Sequence, residues 1–427
     1  MTSGGYRAPS RVLVVGAGIV GLSCAWSLQE HGIEVTVADR AQEGAGSSWQ
    51  NAGYVAPAMT APLPEPSILR YGARAVLSPG SPVRLRAQPD VRLAQFMTGL
   101  VRHCTTRSWQ HAMSAYLPLN RRIFDAYDRQ RELGVAAGLN RADVLAAFEH
   151  SGDAAGLLHE LASVAGSGQR LAVEMLTGDE ARELEPRLSA RVRLAVRIPG
   201  QRYLTPSSYV AALAEAVRSR NGKILTQTPV TSVHRDGGTV VARGPAGDLD
   251  ADAVVLANGA WLSALARPHG VRVPVYGGRG YSFTLPTTGP HSTGPHNPGP
   301  LSQPLYFPAA RVAVTPQGDR VRVAGVMEFG SPDATPRPAR ISSMVRAARP
   351  LLDGVDWDAR ADDWMGVRPL STDGMPLVGA SRTPGVFVAG GHGMWGVTLG
   401  PLTGQLLAEQ IATGVRPAEL RPLDPCR

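Results

Sequence analysis

The stretch RVLVVGAGIVGLSCAWSLQEHGIEVTVADR, residues 11–40, decides the fold of this chain. A short apolar run leads into three glycines, Gly16, Gly18 and Gly21, and a helical pattern of apolar residues follows. A second β-branched run then ends at Asp39. This order of strand, glycine turn, helix, strand and acidic residue is typical of the βαβ unit that binds a dinucleotide. The sequence therefore predicts an α/β fold with a Rossmann-like cofactor domain.

Each glycine of this unit has a physical reason. Gly16 allows the tight turn, Gly18 lets the backbone approach a pyrophosphate, and Gly21 lets the helix pack on the strand. The first turn of the helix offers backbone N–H groups to the phosphates. Asp39 lies 18 residues after Gly21, where a carboxylate accepts hydrogen bonds from ribose hydroxyls. The predicted cofactor contacts in this unit are Gly16, Gly18, Ile19, Val20, Gly21, Asp39 and Arg40.

The residues that follow favour FAD over NAD as the dinucleotide. EGAGSSWQNAGYVAP, residues 43–57, is rich in small, hydroxyl and amide side chains. An NAD dehydrogenase usually continues with another strand and helix. A loop of hydroxyl, amide and backbone donors instead suits the longer FAD molecule, which lies across the sheet. We therefore expect FAD as the cofactor.

Composition excludes several classes of protein. The 427 residues are 43% hydrophobic and 18% charged, which is typical of a globular chain. No apolar run approaches the roughly 20 residues of a transmembrane helix, and the N-terminal MTSGGYRAPS lacks an apolar signal core. We therefore expect a cytoplasmic protein. Cys24, Cys104 and Cys426 are too few and too scattered for a disulfide framework or a zinc site.

The net charge of +8 raises nucleic acid or anionic lipid as a partner. Of the 43 basic residues only Lys223 is a lysine, and alanine, glycine and proline are abundant as well. Such a bias is typical of a codon-composition effect, and the sequence has no RNA-binding signature. We expect no nucleic-acid partner, while a peripheral contact with the inner face of a membrane stays open.

The pattern along the chain indicates two interleaved domains. Strand, glycine and helix patterns recur at residues 9–60, 200–265 and 362–427, which we assign to a discontinuous FAD-binding domain. Residues 61–199 and 266–361 we assign to a substrate-binding domain with a mixed antiparallel sheet. The second domain is expected to cover the substrate, because ligand sites commonly lie at domain interfaces.

Several segments carry a distinct local pattern. Residues 91–133 and 206–222 show helical spacing of apolar residues, and Thr177 is the expected N-cap of a further helix. KILTQTPVTSVHRD, residues 223–236, is predicted as one strand. PTTGPHSTGPHNPGPLSQP, residues 286–304, has no acidic or thiol partner for its two histidines, so we predict a surface loop rather than a metal site.

Eight motifs spread over nearly the whole chain carry a family resemblance: VVGAGIVGLSCAWSL, VTVADR, QNAGYVAP, YLTPSSYVAALAEAV, ADAVVLANGAW, PVYGGRGYSFTL, GVRPLSTDGMPLVG and AGGHGMWGVTLGPLTGQLLAEQI. With them the chain resembles the FAD-dependent amine and amino-acid oxidoreductases of the D-amino-acid oxidase type. SPVRLR, residues 81–86, and the helices after it fit the bacterial D-amino-acid dehydrogenases of this family. The resemblance implies a FAD domain of the glutathione-reductase type.

The resemblance also implies where FAD is held. Beyond the βαβ unit, it assigns cofactor contacts to Ser47, Ser48, Asn51, Ala52, Gly53, Val230, Gly259, Trp261, Gly391, His392, Gly393, Met394, Trp395, Gly396, Val397 and Thr398. Residues 391–398 lead into a helix whose positive end would face the flavin edge that gains negative charge on reduction. No cysteine or histidine stands where a covalent flavin link is expected, so noncovalent FAD is predicted.

In WMGVRPLSTDGMPLVG, residues 364–379, the resemblance assigns the substrate carboxylate to Arg368. A guanidinium suits this task because its fork pairs bidentately with a carboxylate. The alternative for Arg368 is a salt bridge with a neighbouring aspartate, Asp362, Asp363 or Asp373.

Three further side chains are candidates for the reaction site. Tyr281 and Tyr306 are each a candidate for a second contact with the substrate carboxylate or amine. The alternative for each is a tyrosine of a strand that packs in the core. His392 is a candidate acid or base, although its GGHG turn favours a packing and hydrogen-bonding role. Arg279 stands where the dehydrogenases of this family commonly have a lysine.

The expected activity is FAD-dependent oxidative deamination of an amino acid, a D-amino acid above all. Hydride passes from the substrate Cα to flavin N5, and water hydrolyses the imine to a 2-oxo acid and ammonia. The expected electron acceptor is a quinone or O2. Some amine oxidases of the wider family use a lysine near flavin N5 to help O2 react. Lys223 is expected far from N5, so a quinone or another carrier is favoured. Two alternatives stay open: oxidation of a secondary or cyclic amine (sarcosine, glycine, proline or hydroxyproline), and an RNA-associated flavoprotein.

Overall fold

The computed structural model describes residues 6–67, 81–85, 90–287 and 301–427. The strands are β1 (Arg11–Val15), β2 (Glu34–Ala38), β3 (Tyr54–Val55), β4 (Val83–Leu85), β5 (Asn140–Phe148), β6 (Glu174–Thr177), β7 (Leu194–Tyr203), β8 (Lys223–Leu225), β9 (Ser232–Asp236), β10 (Thr239–Gly244), β11 (Gly247–Ala251), β12 (Ala253–Leu256), β13 (Val275–Pro286), β14 (Leu305–Phe307), β15 (Val312–Gln317), β16 (Arg320–Phe329), β17 (Ala361–Ser371), β18 (Leu377–Ala380) and β19 (Val386–Gly390). The α-helices are α1 (Ile19–Glu30), α2 (Val91–His103), α3 (Thr106–Asn120), α4 (Ile123–Glu132), α5 (Ala154–Gly166), α6 (Gly178–Leu184), α7 (Pro206–Ser219), α8 (Leu262–Ala266), α9 (Pro338–Ala348) and α10 (Gly396–Thr413).

A six-stranded sheet carries the βαβ unit, in the order β18-β19-β12-β1-β2-β8. The strands from β19 to β8 run parallel, and β18 runs antiparallel to β19. Side chains of β1 alternate between two faces: Val12 and Val14 pack in the cluster that includes α1, α7 and α10, and Leu13 and Val15 pack against the three-stranded sheet β11-β10-β9. Because both faces are covered, the inner strands β1, β12 and β19 are almost entirely apolar.

Helices α1 and α10 are in close contact on one face of this sheet. A Cβ at Gly404 of α10 would lie 2.4 Å from the carbonyl oxygen of Ser23 in α1, so a larger residue would push the helices apart. Each helix follows a parallel strand of the same sheet, β1 or β19. Both helix N-termini therefore lie at the edge of the sheet where ligands bind in α/β folds.

Ten strands form a second, mixed sheet. Eight follow the order β17-β13-β16-β15-β14-β5-β7-β3, while β4 pairs with β16 and β6 pairs with β7. The pairs β14–β5 and β16–β4 are parallel, and the pairs of β13 with β16 and β17 are antiparallel. Apolar side chains of β13 to β16 pack against α9, which provides Ile341 and Met344 to the same cluster.

Most of the predicted architecture is confirmed. The chain has an α/β fold in which a Rossmann-like sheet accompanies a mixed, mainly antiparallel sheet. Residues 91–133 form the three helices α2 to α4, and α7 covers the predicted helix at 206–222. Thr177 caps α6 as predicted, because its Oγ1 accepts the N–H of Glu180 while the Glu180 carboxylate accepts the N–H of Thr177. Within the described ranges, no helix combines the length and hydropathy required to cross a bilayer.

One predicted strand is wrong. Residues 223–236 are divided, because β8 ends in the six-stranded sheet and β9 begins in the three-stranded sheet. Between the two, Gln227 has a φ of +53° and the N–H of Thr228 donates to the carbonyl oxygen of Asp39 at 2.7 Å. Pro229 then has no N–H for a strand ladder. The chain therefore turns around the end of β2 instead of continuing straight.

The domain boundaries at residues 200 and 362 stay a prediction. Strands β7 and β17 cross these two positions, and both belong to the ten-stranded sheet. Most of the predicted surface loop, with His291 and His296, lies outside the described residues.

Candidate active site

The turn between β1 and α1 has no room for side chains at Gly16 and Gly21. Gly16 has a φ of +116°, and a Cβ there would lie 2.4 Å from the carbonyl oxygen of Ala257. A Cβ at Gly21 would lie 1.9 Å from the carbonyl oxygen of Gly16. Gly18 is the N-cap residue of α1 and gives that helix no side-chain cap. The result is a bare backbone turn at a helix N-terminus, which is the arrangement that binds a phosphate.

Asp39 lies just after β2 and is fixed by the same turn. Its carboxylate accepts the N–H of Ala17 at 2.7 Å and the N–H of Ala41 at 2.8 Å. Burial raises the pKa of Asp39, and the two backbone bonds act against that increase. Each carboxylate oxygen keeps a lone pair for a ribose hydroxyl. The predicted contacts Arg40 and Trp261 touch each other, with the guanidinium 4.4 Å from the ring centre.

The loop at residues 43–57 is attached to the βαβ unit on one side. The N–H of Ile19 donates to Ser48 Oγ at 3.1 Å, so Ser48 ties the loop to the first turn of α1. At the far end of the loop, a Cβ at Gly53 would lie 2.1 Å from the carbonyl oxygen of Leu204. Ser48 and Gly53 therefore support the shape of the loop.

On its other side the loop is attached to the ten-stranded sheet. Ser282 Oγ donates to the carbonyl oxygen of Gln50 at 2.8 Å, and Thr315 Oγ1 donates to that of Ala52 at 2.5 Å. The fully buried Arg322 donates to Ser282 Oγ at 2.6 Å. These three polar residues were not predicted from the sequence. The available signal was a polar residue within strands that are mostly apolar.

The turn at residues 391–398 closes the site from the helix side. The N–H of Gly393 donates to the carbonyl oxygen of Pro369 at 2.8 Å, which places the turn beside β17. Thr398 Oγ1 donates to the carbonyl oxygen of Tyr54 at 3.1 Å. The turn thus contacts both β17 and the end of the 43–57 loop.

A cavity of about 580 Å³ lies where these elements meet. From the predicted substrate set it is lined by Arg368, Tyr281 and Tyr306. From the predicted cofactor set it is lined by Ser47, Asn51, Ala52, Met394, Trp395 and Thr398. Of the other predicted cofactor residues, Val230 packs in the apolar cluster on the opposite face of β1, and Gly259 has a φ of +59°.

Most of the cavity wall is apolar and was not predicted. Helix α2 contributes Met97 and Leu100, and helix α5 contributes Leu157, Leu161 and Val164. Helical spacing predicted α2 but not α5, and it did not indicate which apolar residues of α2 face a ligand and which face the core. Their presence makes the cavity a region of low dielectric, in which a charged side chain interacts strongly with a ligand.

Arg368 is a partly buried charged group in the wall of the cavity. It lies on β17 with its guanidinium over Gly280, where a Cβ would be 2.4 Å from Nη2. Its Nη1 donates to the carbonyl oxygen of Val326 at 2.8 Å. Burial lowers the pKa of Arg368 to about 10, so the guanidinium stays positively charged at neutral pH.

The alternative role of Arg368 as a partner of a nearby aspartate is not found among the described residues. Asp362 pairs with Arg320, Asp363 with Arg360, and Asp373 with Arg427. Within the described part of the chain, no carboxylate lies within ion-pair distance of Arg368. Its positive charge is therefore available to a ligand in the cavity.

Tyr281 borders the cavity, but its hydroxyl has partners elsewhere. The hydroxyl accepts the N–H of Arg337 at 3.3 Å and lies 3.5 Å from Glu328 Oε2. Burial is the main cause that raises the pKa of Tyr281, and the charge of Glu328 adds to it. Arg279, the departure from the family lysine, forms a fully buried ion pair with Glu328 and contacts the carbonyl oxygen of Ala334. Arg279 thus serves the core behind the cavity.

Tyr306 borders the cavity, whereas His392 is buried against α10. Tyr306 lines the cavity, and its hydroxyl accepts from Arg311 Nη1 at 3.4 Å. His392 is buried, and its Nε2 lies 3.0 Å from Thr403 Oγ1 on α10. Burial lowers the pKa of His392 to about 4, so the imidazole is neutral at physiological pH. These contacts fit the favoured packing role of His392.

Comparison with known sequences identifies the family. Residues 11–410 match the model of the FAD-dependent oxidoreductases. The D-amino acid dehydrogenase of Methylobacterium sp. (strain 4-46) is 32% identical over 422 residues, which cover 95% of this chain and 96% of that protein. That of Cereibacter sphaeroides (strain ATCC 17029 / ATH 2.4.9) is 29% identical over 407 residues, which cover 94% and 91%. The chain therefore belongs to the FAD-dependent oxidoreductase family.

Solved structures share the fold. Glycine oxidase from Geobacillus kaustophilus superposes with a TM-score of 0.71 at 23% identity, covering 98% of this chain and 99% of that one. L-Proline dehydrogenase from P. horikoshii gives a TM-score of 0.70 at 16% identity, covering 99% and 98%. The residues present fit FAD: the bare turn at Gly16 to Gly21 suits the pyrophosphate, Asp39 the ribose, and the attached 43–57 loop the flavin.

Proposed function

We propose that this enzyme oxidises a D-amino acid and that Arg368 binds the carboxylate of the substrate. The observation that carries the proposal is the guanidinium of Arg368, which lies in a largely apolar cavity with no carboxylate partner among the described residues. A bidentate pair with a substrate carboxylate would compensate this positive charge, which is only partly exposed to solvent. The relatives named D-amino acid dehydrogenase support a D-amino acid as the substrate.

The residues of the chain divide the work of the reaction. FAD, when bound, supplies the acceptor for the hydride that leaves the substrate Cα. Arg368 fixes the carboxylate and thereby determines which face of Cα meets the cofactor, and so which enantiomer presents its Cα hydrogen there. The apolar residues of α2 and α5 receive the side chain and exclude water. Hydrolysis of the released imine by water then gives a 2-oxo acid and ammonia.

The proposal requires no strong general base in the cavity. A substrate with a neutral amine loses only its hydride to the cofactor and an N–H proton to water. His392 is hydrogen-bonded to Thr403 and we assign it a packing role at the turn beside the cofactor. Tyr306 is a candidate contact for the substrate amine or carboxylate, because it lines the same cavity as Arg368.

For the return of electrons we propose a quinone or a related carrier. Lys223, the single lysine of the chain, is exposed on β8 at the edge of the six-stranded sheet. No lysine therefore stands at the cavity to assist a reaction with O2. Comparing reoxidation of the reduced enzyme by air and by a soluble quinone tests this proposal; faster reoxidation by air would contradict it.

Substrate identity is tested by anaerobic mixing of the purified FAD enzyme with single amines while the flavin absorbance is recorded. The panel contains D- and L-amino acids, sarcosine, glycine, proline and hydroxyproline. The proposal predicts that D-amino acids bleach the flavin and that their L-enantiomers do not. Bleaching by the secondary or cyclic amines alone would replace the D-amino acid with that class of substrate.

A further inference from the structure

Val326 has a backbone conformation that valine rarely adopts. Its φ is +50°, in the left-handed region where a β-branched side chain collides with its own backbone. Such strained residues persist only where the surroundings hold them, and they concentrate at functional sites. Val326 lines the cavity and is 5% exposed.

A β-bulge in strand β16 produces this conformation. Strand β13 pairs Tyr281 with Gly325 and Arg279 with Glu328, so Gly280 alone faces both Val326 and the residue after it. One residue opposite two is the definition of a bulge. The N–H of Val326 donates to the carbonyl oxygen of Arg311 at 3.2 Å, outside the ladder with β13.

The carbonyl group of Val326 points at the guanidinium of Arg368. The carbonyl oxygen of Val326 accepts Nη1 of Arg368 at 2.8 Å. On the opposite strand, Gly280 leaves the space that the guanidinium fills. The bulge and the missing side chain thus act on the same group. Among the described residues Nη2 of Arg368 has no acceptor, which leaves that side of the fork for a ligand.

Packing of the Val326 side chain holds the strained backbone. The isopropyl group belongs to the buried apolar cluster that contains Tyr281 and Val312. A glycine at position 326 would adopt the same φ without strain, but it would have no side chain to anchor the bulge. The carbonyl group would then be free to rotate away from Arg368.

We propose that Val326 is the positioning residue of the carboxylate site: its anchored, strained bulge aims a carbonyl oxygen that orients the guanidinium of Arg368. This inference rests on the proposed function of Arg368. Val326 does not touch the substrate carboxylate in this account and acts only through Arg368. Its loss is therefore expected to weaken carboxylate binding while the hydride step at saturating substrate stays nearly unchanged.

The test is a double-mutant cycle of Val326→Gly and Arg368→Ala in the FAD-loaded enzyme. Val326→Gly is expected to raise KM for a D-amino acid about tenfold with kcat within about threefold, the signature of lost ground-state and transition-state binding alike. In the Arg368→Ala background the same substitution is expected to change KM no further. Additive effects would overturn the inference.

Val323→Gly is the matched control. Val323 is fully buried on the same strand, pairs with Phe283 and Val314, and lies outside the bulge. Val323→Gly is expected to lower thermal stability without a selective rise in KM. An equal rise in KM for Val323→Gly would show a general packing effect and overturn the inference. If Val326→Gly does not fold with FAD, Val326→Ala enters the same cycle.

A ligand measurement separates this inference from the proposed function. The dissociation constant of benzoate, used as a simple carboxylate, is read from the flavin absorbance without turnover. If no amino acid reduces the wild-type enzyme, the proposed function is wrong. The inference still holds if Arg368→Ala abolishes benzoate binding and Val326→Gly weakens it about tenfold. If Val326→Gly binds benzoate like the wild type, the inference is wrong.

Discussion

The guanidinium of Arg368 occupies the space that a side chain at Gly280 would fill. A Cβ at position 280 would lie 2.4 Å from Nη2 and 2.5 Å from Cζ of Arg368. These two residues come from neighbouring antiparallel strands, β17 and β13. The absence of a side chain on one strand therefore determines where the positive charge of the other strand lies in the cavity.

Gly280→Ala is expected to displace Arg368 and to raise KM for a D-amino acid by about tenfold or more, because the new methyl group takes the place of the guanidinium. Steady-state kinetics with the FAD-loaded variant measure the effect. Gly278→Ala is the control, since its Cβ would meet Leu370 at 2.6 Å and not Arg368. Equal KM values for Gly280→Ala and the wild type would show that the guanidinium need not lie there.

Ser282→Ala is expected to weaken FAD binding. The substitution removes the hydroxyl that holds the carbonyl oxygen of Gln50 at 2.8 Å. The loss of one such hydrogen bond costs about 1 kcal/mol, which corresponds to about fivefold in the dissociation constant of FAD. Thr284→Val on the same strand is the control, because the Thr284 hydroxyl bonds to Asp362 instead of the loop. Fluorescence titration of the apoenzyme with FAD distinguishes the two variants.

Arg279→Lys is expected to destabilise the fold and to leave the order of preferred substrates unchanged. A lysine keeps a charge near Glu328 but cannot reproduce the planar contacts of Arg279 with Glu328 and the Ala334 carbonyl group. A loss of about 1–2 kcal/mol in the free energy of unfolding is expected. Chemical denaturation and the amine panel measure the two effects. A new substrate order would instead place Arg279 among the specificity residues.

His392 is expected to make stability depend on pH. Burial lowers its pKa in the folded chain to about 4, below the ordinary value of 6.5. Between these values the unfolded chain binds the additional proton, so the contribution to stability is complete above about pH 6.5 and is lost as the pH falls towards 4. The expected loss from pH 7 to pH 5 is about 2 kcal/mol.

His392→Gln is expected to remove that part of the pH dependence while it keeps a hydrogen bond to Thr403. Free energies of unfolding from urea titrations at pH 7 and pH 5 give the comparison. An unchanged difference between the two pH values in His392→Gln would mean that another group causes the loss.

The sequence alone predicted the features that depend on residues close to one another in the chain. Gly21 lies against the carbonyl oxygen of Gly16 in the same turn, and Thr177 caps the helix that follows it directly. Ser282 could not be recognised in this way, because its partner Gln50 lies 232 residues away. The division of residues 223–236 between two sheets likewise depends on the end of β2, which is distant in sequence.

The chemistry of single side chains shows the same limit. The tyrosine at 281 and the arginine at 279 have side chains compatible with a substrate site, and only the fold reveals that both contact the buried carboxylate of Glu328. The bulge at Val326 has no local signal either, because a valine in a strand gives no indication of a positive φ. In contrast, the isolation of Arg368 from acidic residues agrees with the role that the family resemblance assigned to it.

The binding of the substrate carboxylate by Arg368 is tested most directly by comparing a D-amino acid with its carboxamide. Rates of anaerobic flavin reduction are measured for both compounds with the wild-type enzyme and with Arg368→Ala. In the wild type, flavin reduction by the acid is expected to be faster than by the amide by about 100-fold or more, because the amide offers no charge to the guanidinium. Arg368→Ala is predicted to lose that preference. A preference for the acid that survives in Arg368→Ala would contradict the assignment of the carboxylate to Arg368.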